Sequence, residues 1–286
     1  MHALLEAQLP SRLSHIPIAS GSRWFTWSPE FRDFAQRLRK DSTLRRRVQI
    51  IEVKQCRPYG ATYSTDLERL PQSDYDLFQV FAKSLYDLRL DSRAIFLRNM
   101  LTSNFTANEV RSLFALLREA LVRVAGVQSG ALYSPVTPKR RDNGFNLHAD
   151  LFLTSHLWVV FDDVPADGTG ASLLLPFSRL VKAICTCEEL PNAVATEILD
   201  LLSLPLRRDS YNRLYLLLHS KRHEWSAALR ANLEALVYMV PFHRGEGYLI
   251  NDRLWLHGRE PVSTSISSRR FHRLIFGGLR AARRER

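Results

Sequence analysis

Two blocks of strand-like sequence separated by a helical one constrain this 286-residue chain more than any other feature. Phe145 to Leu153, His156 to Val164 and Ala171 to Pro176 read as strands, and strand signals resume at Val237 to Val240, Tyr248 to Asn251 and Phe271 to Phe276. From Glu188 to about Ala235 the spacing turns helical, with helices predicted over Ala193 to Leu202, Tyr211 to His219 and Trp225 to Leu236. A β core interrupted by a helical insert at about 188–235 fits this order better than two independent domains. The chain is therefore read as one domain over 1–286.

The first half supplies helices. Ser28-Pro29-Glu30 reads as an N-cap followed by proline at the first helical position, and Phe31, Phe34 and Leu38 then recur at helical spacing. Arg45-Arg46-Arg47 leads into the β-branched segment Val48 to Val53, read as a strand. Ser73 to Leu88 and Ala107 to Val124 are amphipathic, the second with Val110, Leu113, Leu116, Leu117, Leu121 and Val124 on one face. A turn-rich passage from Pro135 to Gly144 ends just before Phe145.

Composition narrows the class. With 45% hydrophobic and 24% charged residues the chain is globular, which excludes wholesale disorder and collagen-like or disulfide-scaffold classes. Forty Lys plus Arg stand against 29 Asp plus Glu, a formal charge of +11. Clusters at Arg45 to Arg47, Lys139 to Arg141 and Arg280 to Arg286 would suit a phosphate-binding face. The excess is spread through the whole chain, however, so nucleic acid is not the favoured partner. No apolar run has the ~18 residues of a membrane span, and residues 1–19 lack the apolar stretch of a secretory signal. Cys56, Cys185 and Cys187 are an odd count with one C-x-C pair, so a cytoplasmic location without disulfides is expected.

The chemistry centres on Asn146-Leu147-His148-Ala149-Asp150. An H-x-D within a strand places both side chains on one face, where an imidazole nitrogen and a carboxylate oxygen reach a single metal ion. A second histidine from elsewhere completes a two-histidine, one-carboxylate facial triad, the donor set of non-haem Fe(II) oxygenases. His257, in Trp255-Leu256-His257-Gly258-Arg259, is the candidate. Arg269 lies twelve residues further on, with Arg269, Phe271 and Arg273 on one strand face and Arg270 and His272 on the other. An arginine so placed suits bidentate pairing with the distal carboxylate of a dicarboxylate cosubstrate.

These segments resemble the Fe(II)/2-oxoglutarate-dependent oxygenases, in the branch holding taurine dioxygenase, clavaminate synthase and phytanoyl-CoA hydroxylase. The resemblance rests on His148-Ala149-Asp150, on Leu157 to Gly170 with its Asp162-Asp163-Val164 strand end and acidic-glycine turn, and on Trp255 to Arg259 with the arginine strand. It covers about residues 145–180 and 245–278. It implies a mainly β fold with flanking helices, a double-stranded β-helix of the jelly-roll, cupin-like kind, wrapped by N-terminal helices and the insert. It implies Fe(II), 2-oxoglutarate and O2 as cofactors, with His148, Asp150 and His257 binding iron and Arg269 holding the 2-oxoglutarate carboxylate. Arg273 resembles the position that meets an anionic substrate group, and either arginine suits the cosubstrate role. Thr169 or Ser172 would add a hydroxyl to that carboxylate. Asn146, on the face of His148, would touch substrate or cosubstrate, or serve as a ladder-edge amide. The carboxylate at Asp150 favours oxygen insertion over halogenation.

The expected function is therefore hydroxylation of a small polar molecule such as an amino acid or natural-product intermediate, with the insert as a lid or as the contact of a homo-oligomer. A nucleic-acid-associated basic protein and a non-catalytic jelly-roll binding protein are the alternatives. His219 and His223 stand four apart on a helix without the intervening acid of a metalloprotease, and Cys185 and Cys187 lack a second cysteine pair, so neither is read as a zinc site. Trp158 and Trp255 are expected in the core.

Overall fold

A computed structural model of the chain describes residues 4–7, 23–56, 60–88, 93–101, 105–125, 131–136, 145–150, 156–165, 168–203, 208–262 and 270–277. Strands β1 (Leu4–Ala7) and β2 (Arg23–Trp27) lead into helices α1 (Pro29–Lys40) and α2 (Ser42–Arg47). There follow β3 (Ile51–Cys56), β4 (Gly60–Ser64), α3 (Gln72–Leu88), β5 (Ile95–Leu97) and α4 (Ala107–Ala125). The second half holds β6 (Ala131–Val136), β7 (Phe145–His148), β8 (His156–Asp163) and β9 (Ser172–Pro176). Helices α5 (Phe177–Cys185), α6 (Asn192–Ser203), α7 (Arg208–His219) and α8 (Ser226–Leu236) come next, then β10 (Tyr238–Val240), β11 (Gly247–Asn251), β12 (Trp255–Arg259) and β13 (Arg270–Phe276).

The strands form a seven-stranded sheet in the order β1-β2-β5-β11-β8-β13-β6, a four-stranded sheet in the order β10-β9-β12-β7, and the separate pair β3-β4. From β6 onward the chain passes between the two larger sheets: β6, β8, β11 and β13 lie in the large one, β7, β9, β10 and β12 in the small one. Three apolar clusters show four layers. Trp158, Val160, Leu249, Leu274 and Phe276 of the large sheet pack against Phe31, Phe34, Phe78, Phe81 and Phe114 of α1, α3 and α4. The opposite face of that sheet, with Leu157, Val159, Phe161 and Ile275, meets Leu174, Tyr238, Val240 and Trp255 of the small sheet. The outer face of the small sheet, with Leu147, Leu175 and Leu256, is covered by α5 to α8.

Local signals account for the helices. In α1, Ser28 caps the Phe31 N–H, Pro29 stands at the first position, and Phe31, Phe34, Ala35 and Leu38 are buried at helical spacing. In α4, the Thr106 hydroxyl accepts from the Glu109 N–H while the Glu109 carboxylate accepts from the Thr106 N–H, a reciprocal pair that fixes the first turn. Each fully buried Phe or Leu on these faces contributes about 1.5–3 kcal/mol. β8 is buried on both faces because it lies between helices and a second sheet, so it reads as a continuous apolar run. β11 crosses it so closely that a Cβ on Gly247 would lie 1.9 Å from the Val159 carbonyl oxygen. Only glycine fits there.

The structure adjusts several boundaries. The strand expected from Val48 begins at Ile51, with Arg45 to Arg47 closing α2. The expected turn at Pro135 falls inside β6. Helical structure starts at Phe177, where Leu180, Ala183 and Ile184 bury the inner face of α5 beyond the proline that ends β9. The expectation of a mainly β chain is corrected to mixed sheets with flanking helices, since α1 to α8 hold more of the described residues than the strands do. Trp158 and Trp255 are core residues, as expected. No described helix is long and apolar enough to cross a membrane.

Candidate metal centre

β7 and β12 run antiparallel with His148 directly opposite His257. Opposed residues of an antiparallel pair share a face, and the two imidazoles stand 4.1 Å apart between ring centroids. Leu174 of β9 lies opposite His257 on its other side and belongs to the core between the sheets, so both histidines project into that space. Asp150 stands two residues past the end of β7 rather than within the strand. Its Oδ2 is 4.0 Å from His257 Nε2, and the ligand atoms of His148, Asp150 and His257 all lie within 4.8 Å of one another. Atoms sharing one ion through bonds of about 2.1 Å lie about 3–4 Å apart. The group is slightly wider than this and could close on a metal ion.

The protonation states suit ligation. His148 Nδ1 lies 2.9 Å from the Asn146 carbonyl, which can only accept, so Nδ1 carries the proton and Nε2 keeps its lone pair. Burial, and then the neighbouring His257, push the His148 imidazole down to about 4. Burial pushes His257 down to about 4 as well, against the pull of the Asp150 carboxylate. Both rings are neutral at pH 7, the form that binds a metal. His257 Nε2 and Asp150 Oδ2 are buried with no hydrogen-bond partner among the described residues. Buried polar atoms of this kind are rare unless a ligand, ion or water satisfies them.

From the facing sheet, Arg273 on β13 lies opposite Val159, on the side turned toward the histidines. Its guanidinium is 3.7 Å from Asp150 Oδ2 and 3.4 Å from the Ser134 hydroxyl of β6. Arg273 is thus brought to the centre, while Arg269 lies outside the described residues. Ser172 faces the same interior, opposite Arg259 and one strand repeat from His257. Thr169 stands on the turn before it and lines a cavity of about 160 Å³ with Phe161, Val164, Phe242 and His243. Asn146 is exposed, its Nδ2 3.5 Å from the Tyr215 hydroxyl of α7.

Sequence reasoning missed Asp252. The turn from β11 to β12 is closed by Asn251, whose side chain accepts from the Arg253 N–H and whose carbonyl accepts from the Leu254 N–H. That turn carries Asp252 inside, 0% exposed, with Oδ1 3.4 Å from His257 Nε2. Neither of its oxygens has a hydrogen-bond partner among the described residues. Burial, reinforced by the Asp150 charge, drives its carboxyl well above the usual range. An aspartate five residues before His257 was the available signal; only the turn shows that it points inward.

Behind Arg273, on the opposite face of the large sheet, Asp162 gathers charged groups. Arg270 Nε donates to it at 2.6 Å, Arg244 at 3.3 Å, and His272 Nε2 faces it at 3.5 Å while Nδ1 meets the Tyr133 hydroxyl at 2.7 Å. These contacts tie β13 to β8 and β6 next to the irregularity at Arg270/Phe271, and so fix the strand that presents Arg273. His219 and His223 form no second metal group among the described residues: His219 Nε2 donates to the Leu147 carbonyl at 2.7 Å, and His223 stacks on Trp225. Cys185 and Cys187 are free thiols.

No protein-family model matches the sequence, and no curated protein matches it. Solved structures do. Asparagine oxygenase in complex with Fe(II), 2S,3S-3-hydroxyasparagine and succinate is 15% identical, with 89% of this chain and 93% of that chain covered at a TM-score of 0.50. The non-heme iron oxygenase OrfP in complex with Fe and alpha-ketoglutaric acid is 14% identical, with 93% and 97% covered at a TM-score of 0.48. The arrangement of sheets and helices around His148, Asp150 and His257 is thus the fold of asparagine oxygenase, reached by a very different sequence.

Proposed function

We propose that the chain is an Fe(II)- and 2-oxoglutarate-dependent oxygenase, a single domain built on a double-stranded β-helix, that hydroxylates a small polar molecule such as an amino acid. The observation that carries this reading is the convergence of His148, Asp150 and His257 at the mouth of two facing sheets, with His257 Nε2 and Asp150 Oδ2 buried and unpartnered. The alternation of β6 to β13 between the sheets supports the double-stranded β-helix, and the asparagine oxygenase fold, whose structure holds a hydroxylated amino acid, supports the substrate class.

The donor set fits the ion. The imidazoles of His148 and His257 and the Asp150 carboxylate would hold Fe(II) and leave room on it for a cosubstrate and O2. Bound Fe(II) would supply the O2 chemistry that no side chain offers, with 2-oxoglutarate ending as succinate and CO2. The chain's own residues hold and orient. Hydrogen bonding to Asn146 keeps His148 in the ligating tautomer. Arg273, as a fixed cation at the centre, suits the distal carboxylate of 2-oxoglutarate, with the Ser134 hydroxyl beside it and Ser172 further in. Leu174, Val159 and Ile275 form an apolar floor that excludes water. Asn146, exposed at the rim, meets substrate.

Anaerobic titration of the purified protein with Fe(II) and then 2-oxoglutarate tests this. A charge-transfer absorption is expected with both present, lost in His148→Ala and Asp150→Ala, and Arg273→Ala should raise the 2-oxoglutarate concentration required by about 100-fold, the loss of roughly 3 kcal/mol for an unpaired buried carboxylate. Failure of the wild type to bind any divalent metal sinks the proposal and leaves the non-catalytic jelly-roll reading.

A further inference from the structure

β7 carries one metal ligand and positions another, yet it is the edge of the small sheet. Along an edge strand, the N–H and C=O groups of alternate residues point away from the sheet and must find other partners. In β7 and the residue after it these groups are the Leu147 carbonyl and the Ala149 N–H, one on each side of His148. A single helix takes both. His219 Nε2 donates to the Leu147 carbonyl at 2.7 Å, and the Tyr211 hydroxyl accepts from the Ala149 N–H at 2.7 Å. Tyr211, Tyr215 and His219 fall four residues apart, on one face of α7. The Tyr215 ring lies 4.6 Å from the His219 ring, between the two anchors. Leu214, Leu217 and Leu218 seat the helix against Leu147, Leu175 and Leu256 of the sheet.

Ala149 joins two ligands. Asp150 lies beyond the strand, so the ladder to β12 does not fix it. Two peptide planes separate His148 from Asp150, and the Tyr211 hydroxyl, accepting from the Ala149 N–H, holds the first of them. We propose that Tyr211 and His219 are positioning residues that set the metal affinity of the centre, so that helix α7 and the metal site are linked. This rests on the metal-centre reading above. By reciprocity, whatever order α7 lends to the ligands, a bound metal returns to α7. The insert then acts first as a clamp on the metal-bearing strand.

Co(II), followed by its absorption, is the probe. Tyr211→Phe removes one hydroxyl at constant shape and should weaken Co(II) binding by about 10-fold or more, the usual effect of losing an outer partner of a ligand. His219→Ala should do likewise, and His219→Gln, which keeps an N–H donor, should recover part of the loss. Leu216→Ala, at a 62% exposed position of the same helix, should bind as the wild type does. In the wild type, Co(II) should slow amide exchange in α7 more than in α6. Wild-type affinity in Tyr211→Phe overturns the inference while the metal centre stands, and a wild type that binds no Co(II) removes both. If Tyr211→Phe does not fold, the exchange experiment decides, and equal protection of α6 and α7 overturns the linkage.

Discussion

Two buried aspartates on opposite sides of one sheet behave in opposite ways. Asp162, 3% exposed, is met by Arg270, Arg244 and His272, which hold its carboxyl far below the usual range in spite of its burial. Asp252, 0% exposed, lies beside the Asp150 carboxylate with no side-chain cation bonded to it among the described residues, and burial, reinforced by that charge, drives its carboxyl up. The first region gathers its cations around the carboxylate. The second sets two carboxyl groups together, with Arg273 3.7 Å from Asp150. A buried carboxylate with partners in place stays ionised, whereas one without them is pushed toward its neutral form.

The contrast can be broken by exchanging each carboxylate for its amide. Asp162→Asn leaves Arg270 and Arg244 beside a neutral group, so unfolding free energy should drop by about 3–5 kcal/mol, read as a lower urea midpoint, with metal affinity of the folded protein little changed. Unchanged stability would show that the Asp162 network is decorative. Acidification comes next. His148 and His257 stay neutral in the fold down to about 4, while in the unfolded chain they bind protons below their ordinary value of 6.5. The unfolded state therefore holds more protons in that window, and stability of the metal-free protein should fall as pH drops from about 7 toward 4. The raised carboxyl of Asp252 acts in the opposite sense, so the fall should be steeper in Asp252→Asn.

At neutral pH, Asp252→Asn should leave the metal-free protein equally stable or more stable by about 1–3 kcal/mol, and should weaken Co(II) binding by about 10-fold. A destabilised variant would place Asp252 in the same class as Asp162. The smallest effect is expected at Glu197, whose exposed pair with Arg213 joins α6 to α7. Glu197→Gln should cost no more than about 1 kcal/mol and should not move metal affinity, which separates the grip of α7 on β7 from its attachment to the rest of the insert.

The site was legible in the sequence as far as spacing carries information. His148 and Asp150 stand two apart, and a strand has a period of two. His257 was legible because a facial triad needs one more histidine and few candidates follow a strand. The placement of Arg273 was not legible, because its register against Val159 of β8 is what turns it toward the histidines, and Arg269 lies outside the described residues. The positions of Asp252, Tyr211 and His219 beside the histidines were missed for a related reason. Each lies across the fold, on a turn or a helix whose docking no local pattern announces. His219 was weighed as a zinc ligand with His223, and the hydrogen bond to Leu147 shows why a histidine at helical spacing stands there. Among the fold elements, α1, α3 and α4 followed their caps and apolar stripes, whereas the three-residue β5 and the nine-residue α5 are too short for periodicity to resolve.

Along β12 the side chains alternate between two worlds. Leu256 belongs to the layer under the helices and His257 to the space between the sheets. Deleting one residue between Asn251 and His257 would turn leucine toward the ligands and histidine toward the helices. The strands around the site can change length only in steps of two without turning their side chains to the opposite face. Any relative that keeps the chemistry should therefore preserve the parity of its strand lengths before it preserves their sequences.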